Sequence, residues 1–281
     1  MNSKKLKIPD LQGVQKTALL PLWGRAVFSR LYPEILDDKE SIRIINDLDY
    51  NFSEIEKAFG EYGGLCYIIR CRKIDAVIKR FVQEHPNATV VNIGAGFDTA
   101  FSRVDNGTIR WYDIDLIDVI TLRKKIIPEG PRNTCIAKSI FDYSWIKDVH
   151  FNAEDGILFV SGGVFVYFME DDVRNLFITL ADNFPAGELY FDGQIKAALR
   201  VSNGMVKKSG HKGAVMRFYI NNPNVFTSWS PLLHLKSAEP YFKNIKRDAR
   251  WKISTAMNML FSDLLKMVNF YYLKFGTQDR A

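Results

Sequence analysis

The chain has 281 residues of which 47% are hydrophobic, enough to cover a substantial core and to exclude a disordered polymer. Lysine and arginine outnumber aspartate and glutamate by only 38 to 32, a net charge of +6 that is scattered, so no basic stripe with interleaved aromatics marks a nucleic-acid binder. Cys66, Cys71 and Cys135 lack CxxC spacing, which argues against a disulfide framework or a bound metal and for a reduced, cytoplasmic setting.

The basic start MNSKKLKIPDLQG is followed by no apolar run of signal-peptide length. The longest apolar stretch, residues 156–169, is too short to span a bilayer, so a soluble protein without membrane association is expected. No internal repeat is present, and the chain reads as a single domain. Residues 1–64 read as a helical N-terminal cap. Ile74, Val77, Ile78, Phe81 and Val82 then form an amphipathic helical stripe that His85 and Pro86 end.

Residues 89–93 form a β-branched run of the kind buried on both faces of a sheet, stopped by Gly94 and Gly96. Strands are expected again at residues 108–114, 133–138, 156–161 and 188–191, alternating with helices at 118–125 and around Val173 to Phe184. Parallel neighbours need such crossovers, so the core, residues 65–194, is expected to be α/β with a mostly parallel, doubly wound sheet. Residues 195–232 are polar and glycine-bearing, as in an insertion or lid. In residues 233–281, Met257, Leu260, Phe261, Leu264, Leu265 and Val268 read as a last helical stripe, and residues 269–275 as a closing strand at a sheet edge.

The stretch VVNIGAGFDTAF (90–101) is the chemically informative one. Glycines between a first strand and the next helix let a ligand lie against main chain. Asp113 and Asp115 follow Gly94 and Gly96 by 19 residues each, a spacing that puts a carboxylate where it can accept from a ribose diol. A dinucleotide fingerprint needs a third glycine where Thr99 stands, and no GK[ST] follows, so neither NAD nor a Walker-type phosphate site is indicated. A nucleoside without pyrophosphate remains, S-adenosyl-L-methionine being the common one.

The strings GVQKTALLPLWGRA (13–26), VVNIGAGFDTAFSRVDNGTIRWYDIDL (90–116) and GGVFVYF (162–168) resemble the leucine carboxyl methyltransferase family, in particular its bacterial branch of polyketide-synthesis O-methyltransferases of the tetracenomycin type. The resemblance implies a class I (Rossmann-like) methyltransferase fold, S-adenosylmethionine as methyl donor and a small-molecule substrate. It implies that Gly94 and Gly96 take the methionine part and Asp115 the ribose. An arginine before the first strand would pair with the methionine carboxylate: Arg70, with Arg72 as competitor. The loop after the third strand nominates Ser139, Ile140 and Asp142 for the adenine edge, while Asp98 is either a ligand contact or a helix cap.

The chain departs from the family where Ser161, Gly162 and Gly163 replace an Ala-Glu-Gly segment, so the glutamate's role is not carried over. Tyr167 is the candidate for orienting the acceptor, or else a packing aromatic. His85, His150 and His211 are candidate bases with a solvated-loop reading beside each, and Lys207, Lys208 and Lys212 could attract an anionic substrate. The expected activity is O-methylation of a small-molecule carboxylate or hydroxyl. A non-catalytic cofactor-binding protein on the same fold is the alternative, and the oligomeric state stays open.

Overall fold

A computed structural model describes residues 5–7, 15–210 and 213–276. His211 and Lys212 lie outside the described residues. After a 3-10 turn at Gln15–Ala18 come α1 (Leu19–Leu31), α2 (Lys39–Asp47) and α3 (Ser53–Glu84), a helical cap whose last helix runs on past residue 64 to Glu84. Asp38 caps α2 by accepting the Ser41 amide at 3.0 Å. In α3 the backbone leaves helical geometry at Gly60, whose φ of 53° suits glycine.

Glycines let α1 and α3 approach closely. A Cβ on Gly64 would lie 1.9 Å from Cε2 of Phe28, and one on Gly24 would lie 2.3 Å from Cδ2 of Tyr67. This crossing sets the cap against one face of the sheet.

The sheet contains β1 (Thr89–Ile93), β2 (Arg110–Asp115), β3 (Asn133–Ala137), β4 (Ile157–Ser161), β5 (Glu188–Gln194), β6 (Leu233–Pro240) and β7 (Val268–Phe275). Their order is β3-β2-β1-β4-β5-β7-β6. The first five are mutually parallel, and β7 runs antiparallel to both β5 and β6. The intervening helices are α4 (Ala100–Val104), α5 (Ile117–Ile126), α6 (Glu170–Asn183), α7 (Lys196–Lys208), α8 (Val225–Trp229) and α9 (Ile253–Leu264).

Every residue of β1 is buried. Val90 packs with α1 and α3 on one face, whereas Val91 and Ile93 pack with Val173, Leu176 and Leu180 of α6 on the other. The alternation of side chains along a strand thus divides the apolar run between two cores.

Two expectations need correction. Residues 233–240 form the edge strand β6, with a β-bulge between Leu235 and Ser237. The closing strand β7 therefore lies inside the sheet rather than at its edge.

The second concerns α9, whose apolar stripe faces solvent. Leu260 is 52% exposed and Leu264 67%, whereas Thr255, Met259 and Ser262 face inward, and Val268 belongs to β7. Polar anchors explain this orientation. Glu61 accepts from the Lys252 amide at 2.9 Å and from the Thr255 hydroxyl, and Asp263 accepts the Phe242 amide at 2.9 Å.

Gly64→Ala is expected to force Phe28 out of place and to cost about 1–3 kcal/mol, as overpacking does. The check is a lower urea midpoint with an unchanged slope.

Candidate functional site

Strand order reverses at β1, with β2 on one side and β4 on the other, and ligands of open α/β sheets bind beyond the strand ends at such a point. Here the chain leaves β1 through Gly94 (φ 67°) and Gly96 (φ 50°). The amides of Gly94 and Ala95 both donate to the carbonyl of Ile114, at 2.8 and 3.1 Å, and the Gly96 amide donates to Asp115 Oδ2 at 2.7 Å. Gly94 is doubly required, since a Cβ there would also lie 2.4 Å from Val164.

Buried guanidinium groups grip the carbonyls of the same turn. Arg123 of α5 donates to Gly96 O at 3.0 Å, Asp98 O at 2.7 Å and Asp113 Oδ2 at 2.6 Å. Arg25 of α1 donates to Phe97 O at 2.6 Å and to Asp38 Oδ2 at 3.0 Å. Asp38 also accepts the Thr99 hydroxyl at 2.8 Å and Arg103 at 3.1 Å, and Arg103 in turn pairs with Asp75 at 2.7 Å. Burial pushes the Asp38 carboxyl up, but Arg103, Arg25 and Ser41 outweigh it and hold the group below the usual carboxylate range. For Asp113 and Asp115 burial dominates and the carboxyl is raised.

Beside this turn lies a cavity of about 300 Å³. Gly94, Gly96, Asp115, Ser139, Ile140, Arg70 and Tyr167 all line it. Asp142 does not. Its side chain is exposed and accepts the Ser144 amide at 3.2 Å, capping a short 3-10 helix, so its nomination for the adenine edge is set aside. Arg72 is exposed, with a contact to Glu34 O at 3.4 Å, and Asp113 lies beneath the site with Arg123. Asp98 lines the cavity and accepts the amides of Thr99 (2.7 Å) and Ala100 (3.1 Å) just ahead of α4, whose N-cap residue is Thr99. His85 packs at a tilt against Phe81 with ring centroids 4.6 Å apart and does not line the cavity, nor does the exposed His150.

A second cavity of about 180 Å³ adjoins the first and shares Arg70, Gly162, Gly163 and Tyr167 with it. Its farther wall comes from α3, from Asp192 to Gln194 of β5, from Ser202, Met205 and Val206 of α7, and from Met216, Tyr241 and Phe242. The polar segment expected as an insertion thus contributes helix α7 to this wall. Asp192 escaped the sequence reading because the fifth strand was expected to end at Phe191. Pairing with β7 carries the strand on through Asp192 to Gln194.

Arg70 sits between the cavities. Its Nη2 is 2.9 Å from Asp192 Oδ2, Asp192 Oδ1 accepts the Gly163 amide at 2.6 Å, and Arg70 Nε has no hydrogen-bond partner among the described residues. A Cβ on Gly162 would lie 2.9 Å from Arg70 Cδ, and one on Gly163 would lie 2.7 Å from its Nη1. The two glycines are therefore the space the arginine occupies. Tyr167 is buried, and burial raises its hydroxyl above the usual range against the pull of the Thr17 hydroxyl and Arg70, so it stays protonated.

These groups fit S-adenosylmethionine: a guanidinium with an unpaired N–H for a carboxylate, Asp115 for a diol, and the apolar walls Leu116, Val119, Ile140 and Phe168 for a flat ring. Among the described residues no cluster of His, Cys, Asp and Glu could hold a metal ion, and no helix is long and apolar enough to cross a membrane.

Residues 22–181 match the model of the leucine carboxyl methyltransferase family. The tetracenomycin polyketide synthesis O-methyltransferase TcmP of Streptomyces glaucescens is 28% identical over 249 residues, 86% of this chain and 90% of that protein. The S-adenosyl-L-methionine-dependent methyltransferase dpfgK of Gibberella zeae is 25% identical over 238 residues, 79% of this chain and 80% of that protein. The crystal structure of a protein from Thermobifida fusca shares the fold, with a TM-score of 0.61 at 11% identity over 95% of this chain and 96% of that one.

Asp38→Asn leaves Arg25 and Arg103 short of a buried counter-charge, and a loss of about 3–5 kcal/mol is expected in chemical denaturation at neutral pH. Because the folded-state carboxyl is held low, the wild-type advantage is present above the unfolded value of about 4 and is lost as pH falls through the lower folded value. Paired urea titrations from pH 7 to pH 3 check that narrowing.

Proposed function

The chain belongs to the leucine carboxyl methyltransferase family and is an S-adenosylmethionine-dependent methyltransferase of class I fold. On that premise, we propose that it methylates an oxygen, of a carboxylate or a hydroxyl, on a small organic molecule. The observation that carries this reading is the pair of adjoining cavities sharing a wall of Arg70, Gly162, Gly163 and Tyr167. One has the groups suited to the donor, and the other has room for an acceptor beside it.

Bound in the first cavity, S-adenosylmethionine supplies an electrophilic methyl group on sulfur. Arg70 would hold its carboxylate, the turn at Gly94 and Gly96 its methionine part, Asp115 its ribose, and Ser139 with Ile140 its adenine edge. Asp115 already accepts the amides of Gly96 and Leu116, each at 2.7 Å, which fixes the carboxylate plane and leaves a lone pair on each oxygen for a diol.

Methyl transfer is an in-line displacement, so the chain's main task is to align the acceptor and exclude water. Tyr167 lines both cavities with a protonated hydroxyl, the state in which it donates a hydrogen bond to an acceptor oxygen. The turn at Gln15–Ala18 supplies Thr17 and Ala18 to the first cavity, and α7 supplies Met205 and Val206 to the second. We assign residues 195–232 the part of a cover over the acceptor side.

Calorimetry with S-adenosylhomocysteine is expected to give one site per chain, and absence of binding would overturn the proposal. Arg70→Met removes charge-assisted hydrogen bonds to a carboxylate and is expected to weaken binding about 10-fold or more. Asp115→Asn should weaken it by a comparable factor, whereas Asp142→Asn should leave it unchanged. Transfer of labelled methyl to a panel of aromatic acids and phenols tests the second half; binding without transfer to any member would favour a non-catalytic role.

A further inference from the structure

Helix α9 presents to solvent what a helix ordinarily buries. Ile253, Leu260, Phe261, Leu264 and the adjoining Leu265 each keep more than half of their surface exposed, and Met257 keeps 42%. No residue of α9 lines either cavity, so this face has no part in the site described above. Asp263 is the one charged residue from Ile253 to Leu265, and its carboxylate is turned to the Phe242 amide at 2.9 Å. The other exposed residues of this segment, Ser254 and Asn258, are uncharged.

With residue surfaces of about 200 Å² each, the uncovered apolar area is on the order of 700 Å². The largest apolar patch of a monomer is usually about 300–600 Å², and each partner in a stable interface contributes about 800 Å². The face is therefore of the size that one copy brings to a dimer. An anionic lipid surface is instead read by lysines and arginines along the margins of an amphipathic helix, and α9 has none.

Spacing decides what fits. Ile253, Met257, Leu260 and Leu264 follow one another at intervals of four, three and four residues, the seam by which one helix packs on another. These intervals read the same in both directions. A two-fold axis between Asn258 and Met259 sets Ile253 against the partner's Leu264 and Met257 against the partner's Leu260, with the helix dipoles opposed.

We infer that α9 is the self-complementary half of a homodimer interface, in which two copies of the chain pair these helices antiparallel. The inference is independent of the donor assignment. Lys252 and Lys266 stand exposed just beyond the ends of the seam, so pairing brings cations of both copies to a shared rim, where water and salt screen them. Such an apolar contact with a cationic rim tightens as salt rises, whereas attraction to an anionic partner weakens. The dimer also stands behind the second cavity. Glu61, which anchors the first turn of α9, adjoins Tyr62, and Asp263 holds the main chain of Phe242; Tyr62 and Phe242 both line that cavity.

Sedimentation velocity of the full chain over about 1–100 µM is expected to show a monomer–dimer equilibrium, with a dissociation constant on the order of 10 µM or tighter. Raising salt from about 0.1 to about 0.5 M should leave it unchanged or tighten it. Leu260→Lys combined with Leu264→Lys should weaken it about 100-fold or more, as buried unpaired charges do, and leave the circular dichroism of the dilute chain unchanged. Ile253→Cys combined with Leu264→Cys should oxidise to a covalent dimer, and Ile253→Cys alone should not.

A chain that stays monomeric throughout this range overturns the inference, and that result needs no variant. So does a dimer that survives the two lysines, or one that high salt dissociates. A monomer that sediments with phosphatidylglycerol vesicles would give the face to lipid and overturn it as well. A covalent dimer from Ile253→Cys alone would overturn the antiparallel register.

Discussion

The functional half of the molecule depends on a cluster of buried guanidinium and carboxylate groups beneath the turn at Gly94 to Asp98. Arg25 reaches this turn from α1 and Arg123 from α5, and each donates to main-chain carbonyls rather than to carboxylates alone. A glycine-bearing turn has little side chain with which to define its own shape, so the shape is imposed from both sides by donors in fixed forks. Burying such charges is costly and brings no certain gain in stability. What it supplies here is a rigid join between the helical cap and the sheet, with Asp38 accepting from the cap's Arg25 and Ser41 and from Thr99 and Arg103 after the turn.

That join explains why the cap counts as part of the site. Thr17, Ala18 and Pro21 line the first cavity, and α1 is held there by close packing on α3 through Gly24 and Gly64. The same helix α3 carries Arg70 to the boundary between the cavities. Gly162 and Gly163 then give its side chain space, and Asp192 gives it a counter-charge. The glycine standing where the family resemblance implies an acid is therefore matched by an acid on the neighbouring strand β5.

Much of this was legible in the sequence where local pattern and tertiary environment agree. Residues 89–93 are apolar and β-branched because both faces are covered, and the strand has those bounds. The glycine turn was legible because the positive φ at Gly94 and Gly96 restricts the residue types allowed. The reading failed where a tertiary partner decides the outcome. Asp192 to Gln194 are strand because β7 pairs with them, and α9 turns its apolar stripe outward because Glu61 and Asp263 anchor the opposite side. Asp142 caps the 3-10 helix that follows it, and a loop acid in that role has the same local spacing as one that faces a ligand.

The position of β7 has a consequence for how the site is assembled. The first cavity is lined entirely by residues between Thr17 and Phe168, whereas the second includes Val268, and Asp192 is paired with Phe270. Contacts this distant along the chain form late, after the entropy of closing a long loop has been met. During synthesis from the N-terminus, the first cavity can take shape while the last strand is still being made, and the second cannot. The first cavity is thus built before the second, which is sealed by the last strand to enter the sheet.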